Sequence, residues 1–346
     1  MRDDDAHNLG LHRVLEPSGA LPQAATRLDA AGPAFRNEVV IDVETLNIDS
    51  ASFDQIVNDV GRDEKAVGSR IAAIVSGRGK MQNPVTGSGG MLLGRVRELG
   101  TDYSGPVPLA VGDPVATLVS LTLTPLDLEE ITAVRLDADQ VDVRGTAYLW
   151  PSSPVVAIPD DLDERVALAA LDVCGAPAQA KRLVADCRRL AILGAGKSGM
   201  ICAAAAREFG GDDLEIFGLD RDVESLQKLA SKGLFDDIRG VNARRPVEVL
   251  AAVEEMTGGE PADVVINTCN VAGTEMAAIL PVRPGGTVYF FNMATDFSRA
   301  ALGCEGIGRD AQLLIGNGYA EGHAELTLDL VRRYEVIRER IQALVA

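Results

Sequence analysis

Gly194, Gly196 and Gly199 stand in G-x-G-x-x-G spacing, between the apolar run Arg188–Leu193 and an alanine-rich stretch with no helix breaker until Gly210. A second apolar run, Leu214–Leu219, ends in Asp220. Strand, tight turn, helix, strand and terminal carboxylate together make a dinucleotide fingerprint. Gly194 permits the turn, Gly196 lets backbone approach a pyrophosphate, and Gly199 lets helix and strand pack closely, with the helix N-terminus facing the phosphates. Asp220 can accept from both ribose hydroxyls and repels a 2′-phosphate, which favours NAD; Arg221 beside it leaves some tolerance for NADP. Ala195, Lys197 and Ser198 complete the loop, with Lys197 able to touch the pyrophosphate. The Gly-Lys-Ser run is not an NTPase loop, because Leu190-Ala191 stand where G-x-x-x-x-G-K-[ST] requires its first glycine.

A second concentration of reactive side chains runs from Arg78 to Met91, RGKMQNPVTGSGGM. Its glycines permit close backbone approach to a ligand. Lys80 has the chemistry to bind a carboxylate or, with a lowered pKa, to act as a base. Gln82, Asn83, Thr86 and Ser88 offer orienting hydrogen bonds; a glycine turn with solvent-facing polar groups is the plainer alternative. LNIDSAS at Leu46–Ser52 ends a strand and opens a helix. Asn47, Asp49 and Ser50 then point into a cleft, unless Asp49 or Ser50 serves only as helix cap. Thr268-Cys269-Asn270 and Asn292-Met293-Ala294-Thr295 follow later strands and are expected against the cofactor, Asn292 near its nicotinamide. Gly303-Cys304-Glu305-Gly306 and Gly316-Asn317-Gly318-Tyr319 read as glycine-flexible loops on the same rim. Glu305 and Tyr319 there are candidates for amine binding or proton transfer.

Two kinds of domain are needed to position these loops. The first part is β-rich: strands are expected at Asn37–Ile48, Met91–Leu99, Pro114–Leu121 and Val141–Trp150, with helices only at Ser52–Asp59 and Glu64–Val75. After Pro151–Pro159, apolar strands alternate with helical patterns, which predicts a parallel sheet covered on both faces. Its strands are Leu190–Leu193, Leu214–Leu219, Ala262–Asn267, Gly286–Phe291 and Gln312–Ile315, with a fainter one at Asp236–Val241. Glu325–Ala346 reads as one long amphipathic helix. This order is that of the medium-chain dehydrogenase/reductase architecture: an α/β chain with an N-terminal β-rich GroES-like domain and a C-terminal Rossmann doubly wound parallel sheet. The expected division is 1–155, joined by the C-terminal helix 321–346, as substrate domain, and 156–320 as the Rossmann domain. Such a fold places its chemistry at the carboxyl ends of the Rossmann strands.

Composition narrows the partners. Thirty-three Lys and Arg against 51 Asp and Glu give a net charge of −18, which argues against nucleic acid and anionic membrane surfaces. The start, MRDDDAHNLG, has no apolar core of a signal peptide, and no run approaches a membrane span. The five cysteines are odd in number and widely spaced, which fits free thiols in a cytoplasmic, reducing compartment rather than a disulfide framework. The β-rich half has no cysteine, and its histidines, His7 and His12, stand near the start. Three zinc ligands are not readily assembled there, so a zinc-free enzyme is expected.

Several segments together resemble the L-erythro-3,5-diaminohexanoate dehydrogenase family of lysine fermentation. They are His12-Arg13-Val14 with Glu16-Pro17, LNIDSASF from Leu46, RGKMQNPVTGSGGML from Arg78, and ATLVSLTLTPL from Ala116. LAALDVCGAPAQ from Leu168, AILGAGKSGM, TEMAAILPV from Thr274, FNMATDFSRAALGCEG from Phe291 and IGNGY extend the likeness to the last helix. The resemblance implies oxidative deamination at C3 of a diamino acid, with the hydride passing to NAD and the imine hydrolysing to a ketone and ammonia. A cation is then needed for the substrate carboxylate, Lys80 or Arg78. Acceptors are needed for its two ammonium groups, from Asp49, Asp296 or Glu305. Asn47, Asn83, Thr86 and Tyr319 complete the expected substrate contacts, with Lys80 first and Glu305 second as the proton-handling residue. A homodimer is also implied. A zinc-free enone or quinone reductase and a non-catalytic NAD(H) sensor are the competing readings.

Overall fold

The computed structural model describes residues 6–118 and 120–345. The acidic start read for a leader, Val119 within the expected strand Pro114–Leu121, and Ala346 at the end of the expected last helix lie outside them. Two compact units divide the chain, the first running through Asp172 and taking in the last turn of the final helix from Leu344, and the second spanning Val173–Ala343.

The first unit contains β1 (Val14–Glu16), β2 (Arg27–Leu28), β3 (Val39–Ile48), α1 (Ser50–Val60), α2 (Glu64–Arg78), β4 (Gly90–Leu99), β5 (Pro114–Thr117), β6 (Leu126–Arg135), β7 (Gln140–Leu149), β8 (Val155–Ala157) and α3 (Glu164–Leu171). Its main sheet has the order β6-β7-β3-β4-β5-β8, and every pairing in it is antiparallel. β3 is central because its VVIDVETLNI run buries nearly every side chain. Val39, Ile41, Val43, Leu46 and Ile48 of β3 share a core with Phe53 and Ile56 of α1 and Ile71 and Val75 of α2. Carboxylates open both helices: Asp49 caps α1 through Ser52 N, and Asp63 caps α2 through Ala66 N. β6 was not expected from the sequence. Its LDLEEITAVR run places acidic side chains on an outer face, so an apolar count passes over it.

A buried ion cluster ties the start of the chain to this sheet. Arg13 and Glu38 are both fully buried, joined by Nε–Oε1 and Nη2–Oε2 hydrogen bonds of 2.9 and 2.7 Å. His12 Nε2 lies 2.8 Å from Glu38 Oε1, and the Phe35 N–H donates to Oε2 at 2.8 Å. The Arg13 guanidinium lies 4.0 Å from the Tyr148 ring centre. Although burial alone would raise it, these partners hold the Glu38 carboxyl below its ordinary range.

In the second unit stand α4 (Ala176–Leu183), β9 (Arg189–Leu193), α5 (Lys197–Phe209), β10 (Glu215–Asp220), α6 (Val223–Ala230), β11 (Asp237–Gly240), α7 (Pro246–Thr257) and β12 (Ala262–Asn267). α8 (Glu275–Ile279), β13 (Val282–Phe290), α9 (Phe297–Gly306), β14 (Ala311–Ile315), α10 (His323–Arg333) and α11 (Glu335–Val345) complete it. The strands form one parallel sheet in the order β11-β10-β9-β12-β13-β14. Successive strands run outward from β9 to β11, and the order then reverses at β12. The reversal puts a topological switch point between β9 and β12, where such sheets bind ligands at their carboxyl ends.

Three expectations are corrected here. Gly303-Cys304-Glu305-Gly306 is the last turn of α9, not a loop. The long terminal helix is two helices broken at Tyr334, and α10 packs on α4 and α5 within the second unit. The unit boundary follows α3, which stays with the first sheet through Arg95–Glu164 and Arg165–Asp142 bonds of 2.8 and 3.0 Å. No helix among the described residues is long and apolar enough to cross a membrane.

Candidate active site

In the second unit, the glycine turn is built around backbone that side chains would block. Gly194 has φ +97°, and a Cβ there would lie 2.8 Å from Thr268 Oγ1. A Cβ on Gly199 would meet the Gly194 carbonyl oxygen at 1.9 Å, so the first turn of α5 presses directly on the turn that precedes it. Around Gly196 nothing lies within 4 Å of the same position. The N-terminus of α5 has no side-chain cap, which leaves the first-turn amides facing that open space. Uncapped amides, open backbone and the helix dipole form a cradle suited to a pyrophosphate.

Asp220 joins this cradle directly. Its Oδ2 accepts from Ala195 N at 2.7 Å and its Oδ1 from Asp222 N at 3.0 Å. Each carboxylate oxygen keeps a further lone pair for a ribose hydroxyl. Thr268 Oγ1 donates to the Gly194 carbonyl at 2.8 Å, locking the end of β12 to the turn. Lys197 and Ser198 lie half-buried on the first turn of α5, and Arg221 and Asn270 are exposed at the ends of β10 and β12. Asn292, past β13, donates to the Asn267 carbonyl at 3.4 Å and accepts from Thr295 Oγ1 at 3.0 Å.

In the first unit, a carboxylate and three hydroxyls meet where β3 passes into α1. Asp49 Oδ1 accepts from Ser52 N at 3.0 Å, while its Oδ2 is buried without a hydrogen-bond partner. Ser52 Oγ lies 2.6 Å from Thr86 Oγ1, which accepts from Ser88 N at 3.3 Å. Burial raises the Asp49 carboxyl above its ordinary pKa, with the Ser52 amide and the nearby Ser52 and Ser88 hydroxyls acting against it and the charge of Asp172 reinforcing it. A carboxyl of this kind holds and releases a proton closer to neutrality than an exposed one.

Residues 12–159 match the family model of the L-erythro-3,5-diaminohexanoate dehydrogenase N-terminal domain. The whole chain is 50% identical over 330 residues to L-erythro-3,5-diaminohexanoate dehydrogenase of Acetoanaerobium sticklandii, covering 95% of this chain and 96% of the relative. The enzyme of that name from Fusobacterium nucleatum is 48% identical over 334 residues, with the same coverage. This chain belongs to the L-erythro-3,5-diaminohexanoate dehydrogenase family. Among solved structures, an alcohol dehydrogenase from Thermotoga maritima matches with a TM-score of 0.56 at 14% identity, over 89% of this chain and 85% of that one. The alcohol dehydrogenase of Thermus sp. ATN1 matches with a TM-score of 0.53 at 18% identity, over 92% and 86%. These distant likenesses establish the GroES-like and Rossmann fold for this family member and nothing further.

Several residues expected to touch substrate are otherwise engaged in this family member. Lys80 is fully buried, and its Nζ donates to the carbonyls of Pro22, Gln23 and Thr122 at 2.8, 3.2 and 2.7 Å. Burial, with the charge of Arg78 second, pushes its ammonium down to about 8. With its three N–H groups spent on carbonyls and no exposed surface, its Nζ is turned to the first unit's own backbone, so the structure corrects the assignment of Lys80 as base. Replacing Lys80 by Met is expected to lower stability by about 3 kcal/mol, because three carbonyls lose their donor. Urea unfolding measures this; NADH affinity should stay unchanged.

Asn83 is also buried, donating to Ser52 O and Gln55 Oε1 at 3.2 and 2.8 Å and accepting from Val85 N at 2.8 Å. It braces the loop against α1. Asn47 is 1% exposed and accepts from Gln140 Nε2 at 3.2 Å across the β3–β7 pair. Arg78, at the end of α2, donates to Gln82 Oε1 at 3.0 Å. Asp296 caps α9 by accepting from Arg299 N at 2.9 Å. Tyr319 stays on the carboxyl side of β14, exposed and edge-on to His323 with ring centres 5.4 Å apart. Glu305 does not share that rim. It lies exposed in the last turn of α9, a helix length from the ends of β12 and β13 and just before β14 begins.

Ser52, Asp172 and Glu275 escaped the sequence reading. Glu275 had a usable signal: it is a lone carboxylate in the apolar run TEMAAILPV, yet only 1% exposed. Among the described residues, no three His, Cys, Asp or Glu side chains are grouped closely enough to hold a metal ion.

Proposed function

We propose that this chain catalyses NAD+-dependent oxidative deamination of L-erythro-3,5-diaminohexanoate to 5-amino-3-oxohexanoate and ammonia, a step of lysine fermentation. The observation that carries this reading is 50% identity across 95% of the chain to a dehydrogenase of that name. The cradle at Gly194–Gly199 supports a dinucleotide, and Asp220 supports NAD over NADP because its carboxylate repels a 2′-phosphate. When bound, NAD+ supplies the hydride acceptor for C3. Water then adds to the substrate imine, so that substrate, NAD+ and water give the amino-ketone, ammonium, NADH and a proton.

The chain must therefore move protons at the reacting nitrogen and at water. We assign that task to Asp49. Its buried, unpartnered Oδ2 can accept from an ammonium or a water, and the Ser52–Thr86 hydroxyl pair adjoins it. Arg78 remains the cation for the substrate carboxylate, and Tyr319 a rim contact. A homodimer that pairs the β14 edges would cover Ile315 and Leu302, which are 55% and 65% exposed beside that edge. The free cysteines fit a cytoplasmic setting.

Purified protein mixed with the diamino acid and NAD+ should form NADH, detected by its absorbance, and should turn over far more slowly with NADP+. Turnover of an enone but not of the diamino acid would replace this reading with a reductase. Cofactor binding without any turnover would leave a sensor.

A further inference from the structure

Glu275 opens α8 with a side chain 1% exposed. Burial of a carboxylate is costly unless its oxygens find donors. Oε1 accepts from Asp296 N at 2.9 Å. Oε2 has no hydrogen-bond donor, and the Arg299 guanidinium stands 3.8 Å from it. Since Asp296 caps α9, this one carboxylate fixes where the loop after β13 ends and the helix begins.

The other end of that loop is tied to the same region. Phe291 N donates to the Asn267 carbonyl at 2.9 Å, and Asn292 Nδ2 reaches the same oxygen. Asn267 Nδ2 in turn donates to Thr274 Oγ1 at 2.9 Å, one residue before Glu275. The loops after β12 and β13 thus close a ring running Asn267, Thr274, Glu275, Asp296, Asn292 and back to Asn267. In doubly wound sheets the two strand sets bind the two nucleotides separately. The glycine turn and Asp220 belong to β9 and β10, which leaves β12 and β13 for the nicotinamide side.

Resting on the dinucleotide reading above, we propose that Glu275 is a positioning residue for the nicotinamide half of the cofactor. It holds the 292–296 loop in register with the end of β12 and acts through that backbone. The adenosine half, served by β9 and β10, does not depend on it.

Two ligands separate this role from general damage: NADH, followed by its fluorescence, and ADP-ribose, which lacks nicotinamide, followed by calorimetry. Glu275→Ala should weaken NADH about tenfold or more while ADP-ribose affinity changes less than about twofold. Glu275→Gln, whose amide oxygen can still accept from Asp296 N, should recover most of the NADH affinity. Equal loss of both ligands, or loss of neither, overturns the proposal. If the alanine variant fails to fold, Glu275→Asp, whose carboxylate falls one methylene short of the Asp296 amide, decides with the same two ligands: NADH weakened and ADP-ribose unchanged supports the role, and loss of both or of neither overturns it. Neither measurement needs the diamino acid, so a wrong substrate would not disturb the outcome. Absence of NADH binding to the unaltered protein would remove the dinucleotide reading and this role with it.

Discussion

Asp49→Asn should lower kcat for oxidative deamination by about 10²–10⁴-fold, the usual range for losing an acid–base group, with NADH affinity unchanged. Asparagine is as good a helix cap as aspartate and can still accept from Ser52 N, so α1 should survive. Stability should move in the opposite direction from activity. A carboxyl whose folded pKa is raised contributes stability below its unfolded value and loses it as pH rises through the folded value. Burial raises the Asp49 carboxyl, so at neutral pH its charge is a net cost that the amide removes. The expected pair is therefore a protein that melts at the same or a higher temperature and hardly turns over. Unaltered protein should also lose deamination rate as pH falls through the raised Asp49 pKa. The residual rate of Asp49→Asn should lack that limb. Thermal melts and a kcat–pH profile check both; a variant with full activity would move proton handling elsewhere.

Gly199→Ala should abolish useful cofactor binding and also destabilise the second unit. The added Cβ would sit 1.9 Å from the Gly194 carbonyl, and backbone cannot swing aside as a side-chain tip can. Overpacking of this kind costs about 3 kcal/mol, and α5 would shift away from β9. Gly196→Ala is the matched contrast. Nothing in the protein lies within 4 Å of its new Cβ, so stability should hold while NADH binding weakens about a hundredfold, the space being that reserved for pyrophosphate. Calorimetric binding and denaturant unfolding on both variants separate scaffold from ligand. If both variants lost stability alike, the open face at Gly196 would not be a binding face.

These contrasts also show which parts of the molecule a sequence can announce. The parallel sheet was legible because its inner strands are buried on both faces and read as apolar runs; Ala262–Asn267 is observed with the bounds expected for it. The glycine spacing exposed the cradle for a related reason, since each glycine answers a local steric demand. Lys80 misled because sequence shows charge but not enclosure: its three acceptors, Pro22, Gln23 and Thr122, come from distant stretches of chain. Glu305 misled because glycines at 303 and 306 suggested a loop, whereas Gly303 is a helical residue whose Cβ would meet Met276 Sδ at 2.3 Å, so it serves close packing rather than a turn. Asp49 was named both as helix cap and as possible ligand; the structure shows one oxygen capping while the other has no partner.

The cluster of Arg13 with Glu38 and Tyr148 sets an order of events during synthesis. Glu38 emerges from the ribosome soon after Arg13, but the ring that shelters the guanidinium belongs to β7, more than a hundred residues later. Until that strand emerges, the pair lacks the aromatic face that covers it and the segment around Arg13 stays unmoored. The β-rich unit thus cannot close progressively as it is made; it must wait for its own last third, and the segment around Arg13 stays open to proteases and chaperones for that interval.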